Sequence, residues 1–101
     1  MTRELHPLAE EELHDSAHGY AAQSIFAADR FMKAVEEAIQ TVVGDPARFQ
    51  SVGEGVRGYR LQRFPYKLYD EYDEGRAHVR VLSITPNKRR PDEWRHRVSK
   101  G

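Results

Sequence analysis

The spacing of apolar residues changes once along this chain, and that change limits the fold more than any other feature. Up to Val42 they recur every three or four positions, and from Val56 onward every second position. The first period belongs to helices that bury a stripe, the second to strands that bury one face. Ala9, Leu13, Ala17 and Tyr20 form the stripe of a first helix. It opens at Pro7, whose missing N–H costs nothing at the first helical position. Glu10, Glu11 and Glu12 follow, where carboxylates suit the positive end of the helix dipole; Gly19 weakens the far end. A second stripe runs through Ile25, Ala28, Phe31, Met32, Val35, Ala38, Ile39 and Val42. Ser24 fits its N-cap, and Gly44-Asp45-Pro46 is a stop signal. Two antiparallel helices would share these stripes.

Residues 2–6 read as a short extended opening, and residues 45–55 as a loop with Phe49 turned inward. Strands are expected over 56–63, 66–72 and 78–85, the last with the β-branched content of a central strand. A helical turn can start at Pro91. At 101 residues the chain fits one domain, 1–101, with a single core. The order predicts an α+β fold, βααβββ, with both helices on one face of an antiparallel sheet.

Composition removes whole classes of function. With no cysteine there is no disulfide scaffold, thiolate zinc site or thiol nucleophile. No apolar run approaches the roughly 20 residues of a membrane span, and the N-terminus lacks the apolar stretch of a signal peptide. A cytoplasmic protein with no membrane contact is the expectation. The formal net charge of zero conceals a division: residues 1–54 carry four basic and ten acidic side chains, residues 55–101 twelve and six. The second half therefore offers a surface for acidic or polyanionic partners, or pairs internally with the first.

A hairpin closing tightly around Phe64-Pro65 would set Gln62 opposite Lys67 and Arg60 opposite Tyr69. Alternation then gathers Arg60, Gln62, Lys67 and Tyr69 on one open, partly basic face, and turns Tyr59, Leu61, Tyr66 and Leu68 to the helices. Each feature also has a plainer reading. On that reading Arg60 and Lys67 are solvated strand residues balancing Asp70 and Glu71, and Lys88-Arg89-Arg90 makes weak surface pairs. Trp94 suits a packing anchor better than a stacking platform. His14 and His18 have helical metal-ligand spacing without a third ligand, so no metal site is expected. Gly53-Glu54-Gly55 is a turn.

Several segments in order carry a resemblance. They are His6-Pro7-Leu8-Ala9-Glu10-Glu11-Glu12-Leu13, Arg30-Phe31-Met32-Lys33-Ala34-Val35, Pro46-Ala47-Arg48-Phe49, Val56 to Tyr66, and the basic ending from Lys88 through Trp94 to Arg97. Together they span nearly the whole chain, which resembles the RelE/ParE superfamily of type II toxin–antitoxin toxins, also called plasmid stabilisation proteins. The resemblance implies a βααβββ toxin neutralised by a co-encoded antitoxin, needing no metal or cofactor. Members similar to RelE are mRNA endoribonucleases acting at the ribosome, using sheet cations and a C-terminal Tyr or His as acid/base. Carried over by position, Arg60, Lys67, Lys88 and Arg89 would be the catalytic cations and His96 the proton carrier. Arg57, Gln62, Tyr69, Arg90, Trp94 and Arg95 would contact nucleic acid or target.

Two positions depart from that pattern. Gln62 stands where a second base is common, and Trp94 falls near the family's Tyr, though an indole only donates. Members similar to ParE lack the nuclease set and bind DNA gyrase, so the departures move weight to that branch. The alternatives are a non-catalytic nucleic-acid-binding protein and a degenerate toxin that keeps only antitoxin binding.

Overall fold

A computed structural model describes residues 2–45, 51–53, 55–89 and 94–99. The expected α+β layers are present. Strand β1 (Thr2–Leu5) leads into α1 (Pro7–Gln23) and α2 (Ile25–Gly44). Strands β2 (Ser51–Gly53), β3 (Val56–Arg60), β4 (Tyr66–Asp73) and β5 (His78–Pro86) follow, then a 3-10 turn, Arg95–Arg97.

Local chemistry explains the helix ends. Pro7 opens α1, and His6 caps it by accepting the Leu8 N–H at Nδ1, 3.1 Å away. Gly19 does not end α1, which continues one turn further to Gln23. Ser24 alone joins the helices: its N–H donates to the Tyr20 carbonyl, and its Oγ accepts the Phe26 N–H. Ala9 and Leu13 from α1 and Phe31, Val35, Ala38, Ile39 and Val42 from α2 are buried against Leu61, Leu68, Val81 and Ile84 of the sheet side. Tyr20, Phe31, Phe64 and Tyr66 close this core with ring centroids 4.9–5.4 Å apart along their chain of contacts. Ile25 and Met32 leave the expected stripe; Ile25 is 75% exposed, because the stripe begins where the two helices overlap, beyond their joint.

The sheet differs from expectation in three ways. Its order is β1-β5-β4-β3-β2, and β1 runs parallel to β5, so the sheet is mixed rather than antiparallel. The whole helical hairpin and three strands supply the long crossover a parallel pair needs. Ser51–Gly53 pairs with β3 where a loop is expected; three residues are too few to show a period. Phe49 lies outside the described residues. Finally, β3 stops at Arg60, and residues 61–65 form a wider loop in which Arg63 adopts φ 72°. The register therefore moves by two: Arg60 faces Lys67, and Gly58 faces Tyr69. A shift of two preserves which face each strand residue occupies, but it removes Gln62 from the ladder.

A bulge on β5 has a larger effect. Tyr69 pairs with Ser83 and Asp70 with Val81, leaving Leu82 as the extra residue. Val81 and Ile84 both reach the helical core, while Leu82 joins Val56, Tyr69 and Trp94 in a second, smaller cluster. The outer face, expected to be open, is thus partly covered by the C-terminal segment. Among the described residues, no helix is long and apolar enough to cross a membrane.

Candidate functional site

The outer face carries one arrangement that folding does not explain. Arg60 on β3 stands directly across from Lys67 on β4, and Lys67 across from Thr85 on β5. Like charges directly opposite on a sheet destabilise it. The two acids expected to offset them are engaged elsewhere. Asp70 is paired with Arg57, and Glu71 accepts from the Ser99 N–H and Oγ while lying 3.8 Å from Arg80. This removes the plainer reading in which Arg60 and Lys67 balance Asp70 and Glu71. Beside the two cations is a depression of about 210 Å³, bounded by Val52, Gly58 and Tyr69. A Cβ on Gly58 would lie 3.3 Å from Val52 Cγ1 and 3.5 Å from the Tyr69 ring, so glycine lets that ring lie close against the strand. Thr85, buried in the same row, has a hydroxyl without a hydrogen-bond partner.

The aromatic groups beside these cations are covered. Tyr69 is 4% exposed and Trp94 is 2% exposed, with ring centroids 6.0 Å apart. Burial pushes the Tyr69 phenol above its ordinary pKa, so it holds its proton. Trp94 serves as the packing anchor.

The other predicted site residues are dispersed. Arg57 is interior, 6% exposed. It donates to both Asp70 oxygens, to the Val42 carbonyl at 3.2 Å and to the Asp45 carbonyl at 3.3 Å, which caps the C-terminus of α2. Alternation carries that signal, since Arg57 lies two residues before the helix-facing Tyr59. Gln62 turns toward α2, beside Ala34, Glu37 and Thr41. Lys88 and Arg89 are exposed in the turn after β5, with Arg89 on the side of Tyr20 and Tyr66. Arg95 lies over the Trp94 ring at 5.3 Å. His96 is exposed in the C-terminal 3-10 turn, and its charge opposes protonation of His6. Arg90 lies outside the described residues. His14 meets Glu10 at 3.8 Å.

One cluster has no signal in sequence. Where β1 ends, Glu12 of α1 takes over the edge of β5. Its Oε1 accepts from Ile84 N–H, Ser83 Oγ and Arg97 Nη1, and Arg97 also donates to the Leu82 carbonyl. Two side chains thus satisfy an edge that a strand would otherwise pair, and they tie the C-terminal segment beneath Trp94.

The fold has known counterparts. No curated protein sequence matches the chain. Among solved structures it is similar to the chromosomal ParDE TA system from P. aeruginosa, with a TM-score of 0.61 and 20% identity over 85% of this chain and 95% of that one. At that identity the likeness is one of fold. Residues 3–99 match the family model described as the ParE toxin of the type II toxin–antitoxin system parDE. Because that match spans almost every residue from β1 to the C-terminal segment, the chain belongs to the ParE toxin family.

Proposed function

We propose that this toxin arrests growth by binding DNA gyrase, not by cutting ribosome-bound mRNA, and that a co-encoded antitoxin neutralises it. The observation that carries this reading is the pairing of Arg60 and Lys67 beside Tyr69, which is buried and held in its neutral form. Strand scission through the ribose 2′-hydroxyl needs a titratable group within hydrogen-bond reach of the reacting atoms, as well as cations for the developing charge. On this face Tyr69 is sealed with its proton held, and Trp94 offers only a buried indole N–H. Two sheet cations without an acidic partner among the described residues suit recognition of an anionic or acidic surface on a larger partner. We test this by pulse-labelling bacteria after induction without antitoxin, following thymidine and amino-acid incorporation together. The expected result is an early fall in thymidine incorporation, with gyrase-dependent cleaved DNA accumulating in a purified reaction. Amino-acid incorporation falling first would overturn it.

A further inference from the structure

Two stretches of the chain carry cations and no acid: residues 60–69, with Arg60, Arg63 and Lys67, and residues 83–89, with Lys88 and Arg89. The sheet brings both to one end. Arg60 faces Lys67, Lys67 faces Thr85, and Tyr66 faces Pro86. The Asn87 N–H donates to the Pro65 carbonyl at 2.9 Å, which lays the turn after β5 against the loop between β3 and β4. The Arg89 N–H closes that turn on the Pro86 carbonyl at 3.0 Å. None of the five cations forms an ion pair among the described residues. Glu37 shares a cleft with Arg63, and Asp15 a hollow with Arg89, so two acids border this end against five bases. The far end of the sheet has the opposite character. There β4 finishes in Asp70, Glu71 and Asp73, and Glu4 and Glu74 line the same hollow, offset in part by Arg76 and Arg80.

We propose that the basic end of the sheet lies on the phosphate backbone of duplex DNA, the DNA that gyrase holds. This deepens the gyrase reading and rests on it for the source of the duplex. A protein surface would be expected to meet an aromatic or apolar anchor here. Yet Tyr69 and Trp94 are sealed, and of the large exposed apolar side chains among the described residues only Val52 borders the cations. Leu8, Ile25, Phe26 and Met32 are on the helices. Charge without an anchor suits a polyanion. Neighbouring strands lie about 4.8 Å apart, so the cations are closely set, and duplex DNA presents one phosphate charge per roughly 1.7 Å of axis. A single strand offers half that density. The acidic far end is repelled by the same polyanion, which orients the toxin with its basic end inward.

The full chain, made by cell-free synthesis without antitoxin, is titrated against a labelled 30-base-pair duplex by fluorescence anisotropy over a salt series. Binding is expected with a Kd between about 1 and 100 μM at physiological salt, indifferent to base sequence. With about four phosphates neutralised, log Kobs should fall against log salt with a slope of about −3.6. Arg60→Ala with Lys67→Ala should flatten the slope by about 2, and so should Lys88→Ala with Arg89→Ala in the exposed turn. Arg76→Ala, a cation exposed at the acidic end, should leave it unchanged. No binding at 50 mM salt, a slope indifferent to both double variants, an equal effect of Arg76→Ala, or tighter binding of single-stranded RNA would each overturn the proposal. Capture by purified, DNA-free gyrase separates this inference from the reading beneath it. Capture that needs Arg60 and Lys67, with no binding to the duplex, would assign the cations to an acidic protein surface; gyrase would remain the target and the DNA contact would be rejected. The expected salt slope, together with amino-acid incorporation falling first in cells, would support the DNA contact and overturn gyrase as the target.

Discussion

At the scale of single residues, Arg57 and Asp70 show how a charge that reads as surface becomes structural. Burial raises the pKa of the Asp70 carboxyl, and the bonds and charge of Arg57 oppose that rise. The guanidinium also satisfies two carbonyls at the end of α2, so removing its countercharge leaves a cation buried against a helix C-terminus. Asp70→Asn is expected to cost about 3–5 kcal/mol, read as a lower urea midpoint. A loss below about 1 kcal/mol would mean the pair is hydrated. His6 gives a second residue-scale prediction. Burial, then the charges of Arg80, Arg97 and His96, depress its pKa below 6.5, and its cap to Leu8 requires an unprotonated Nδ1. Its contribution is complete above pH 6.5 and is lost as pH falls through the depressed folded value. Glu4 and Glu36 are also depressed, chiefly by hydrogen bonds to His78 and Arg3; their contribution is present above pH 4.5 and lost below it. Amide exchange, corrected for intrinsic rate, should therefore accelerate first in the opening turn of α1 and only at lower pH in β1.

At the scale of elements, the C-terminal segment depends on Glu12. Its carboxylate does for β5 what another strand would, and it holds the arginine that brings residues 94–99 across the sheet. Glu12→Gln keeps one acceptor and loses the charge facing Arg97. The expected cost is about 1–3 kcal/mol, with faster exchange of the Ile84 amide and a red shift in fluorescence. The fluorescence reports one site, because Trp94 is the chain's single tryptophan. An unchanged spectrum would show that Trp94 is held by packing on Tyr69 and Leu82 alone.

At the scale of the whole molecule, stability and function should separate at Arg60 and Lys67. Both belong to the ladder between β3 and β4, yet among the described residues no hydrogen bond or ion pair uses their side chains, and each repels the other. Replacing both by Ala is expected to shift stability by no more than about 0.5 kcal/mol in either direction. The same change should markedly reduce growth arrest while leaving antitoxin capture intact. Undiminished arrest would remove this face from the proposed target contact. Strong destabilisation would make the cations structural.

Much of this was legible in one dimension. Helical and strand periods follow from backbone geometry, so the two helices, the Ser24 cap, the stop after Gly44 and the main strands could be read locally. The face shared by Arg60, Lys67 and Tyr69 was also legible, since alternation survives a two-residue error in register. The ordered segments carried the family. What lay beyond reach depends on which distant residues meet. The parallel pairing of β1 with β5, the three-residue β2, the bulge that turns Leu82 outward and the Glu12–Arg97 tie each join segments far apart in sequence, or are too short to have a period. Sequence alone determined the element types and the basic row; tertiary packing decided that Arg57 is interior and that Tyr69 and Trp94 are sealed. The physical reason is that local geometry sets a side chain's direction, while only the assembled core determines whether water remains beside it.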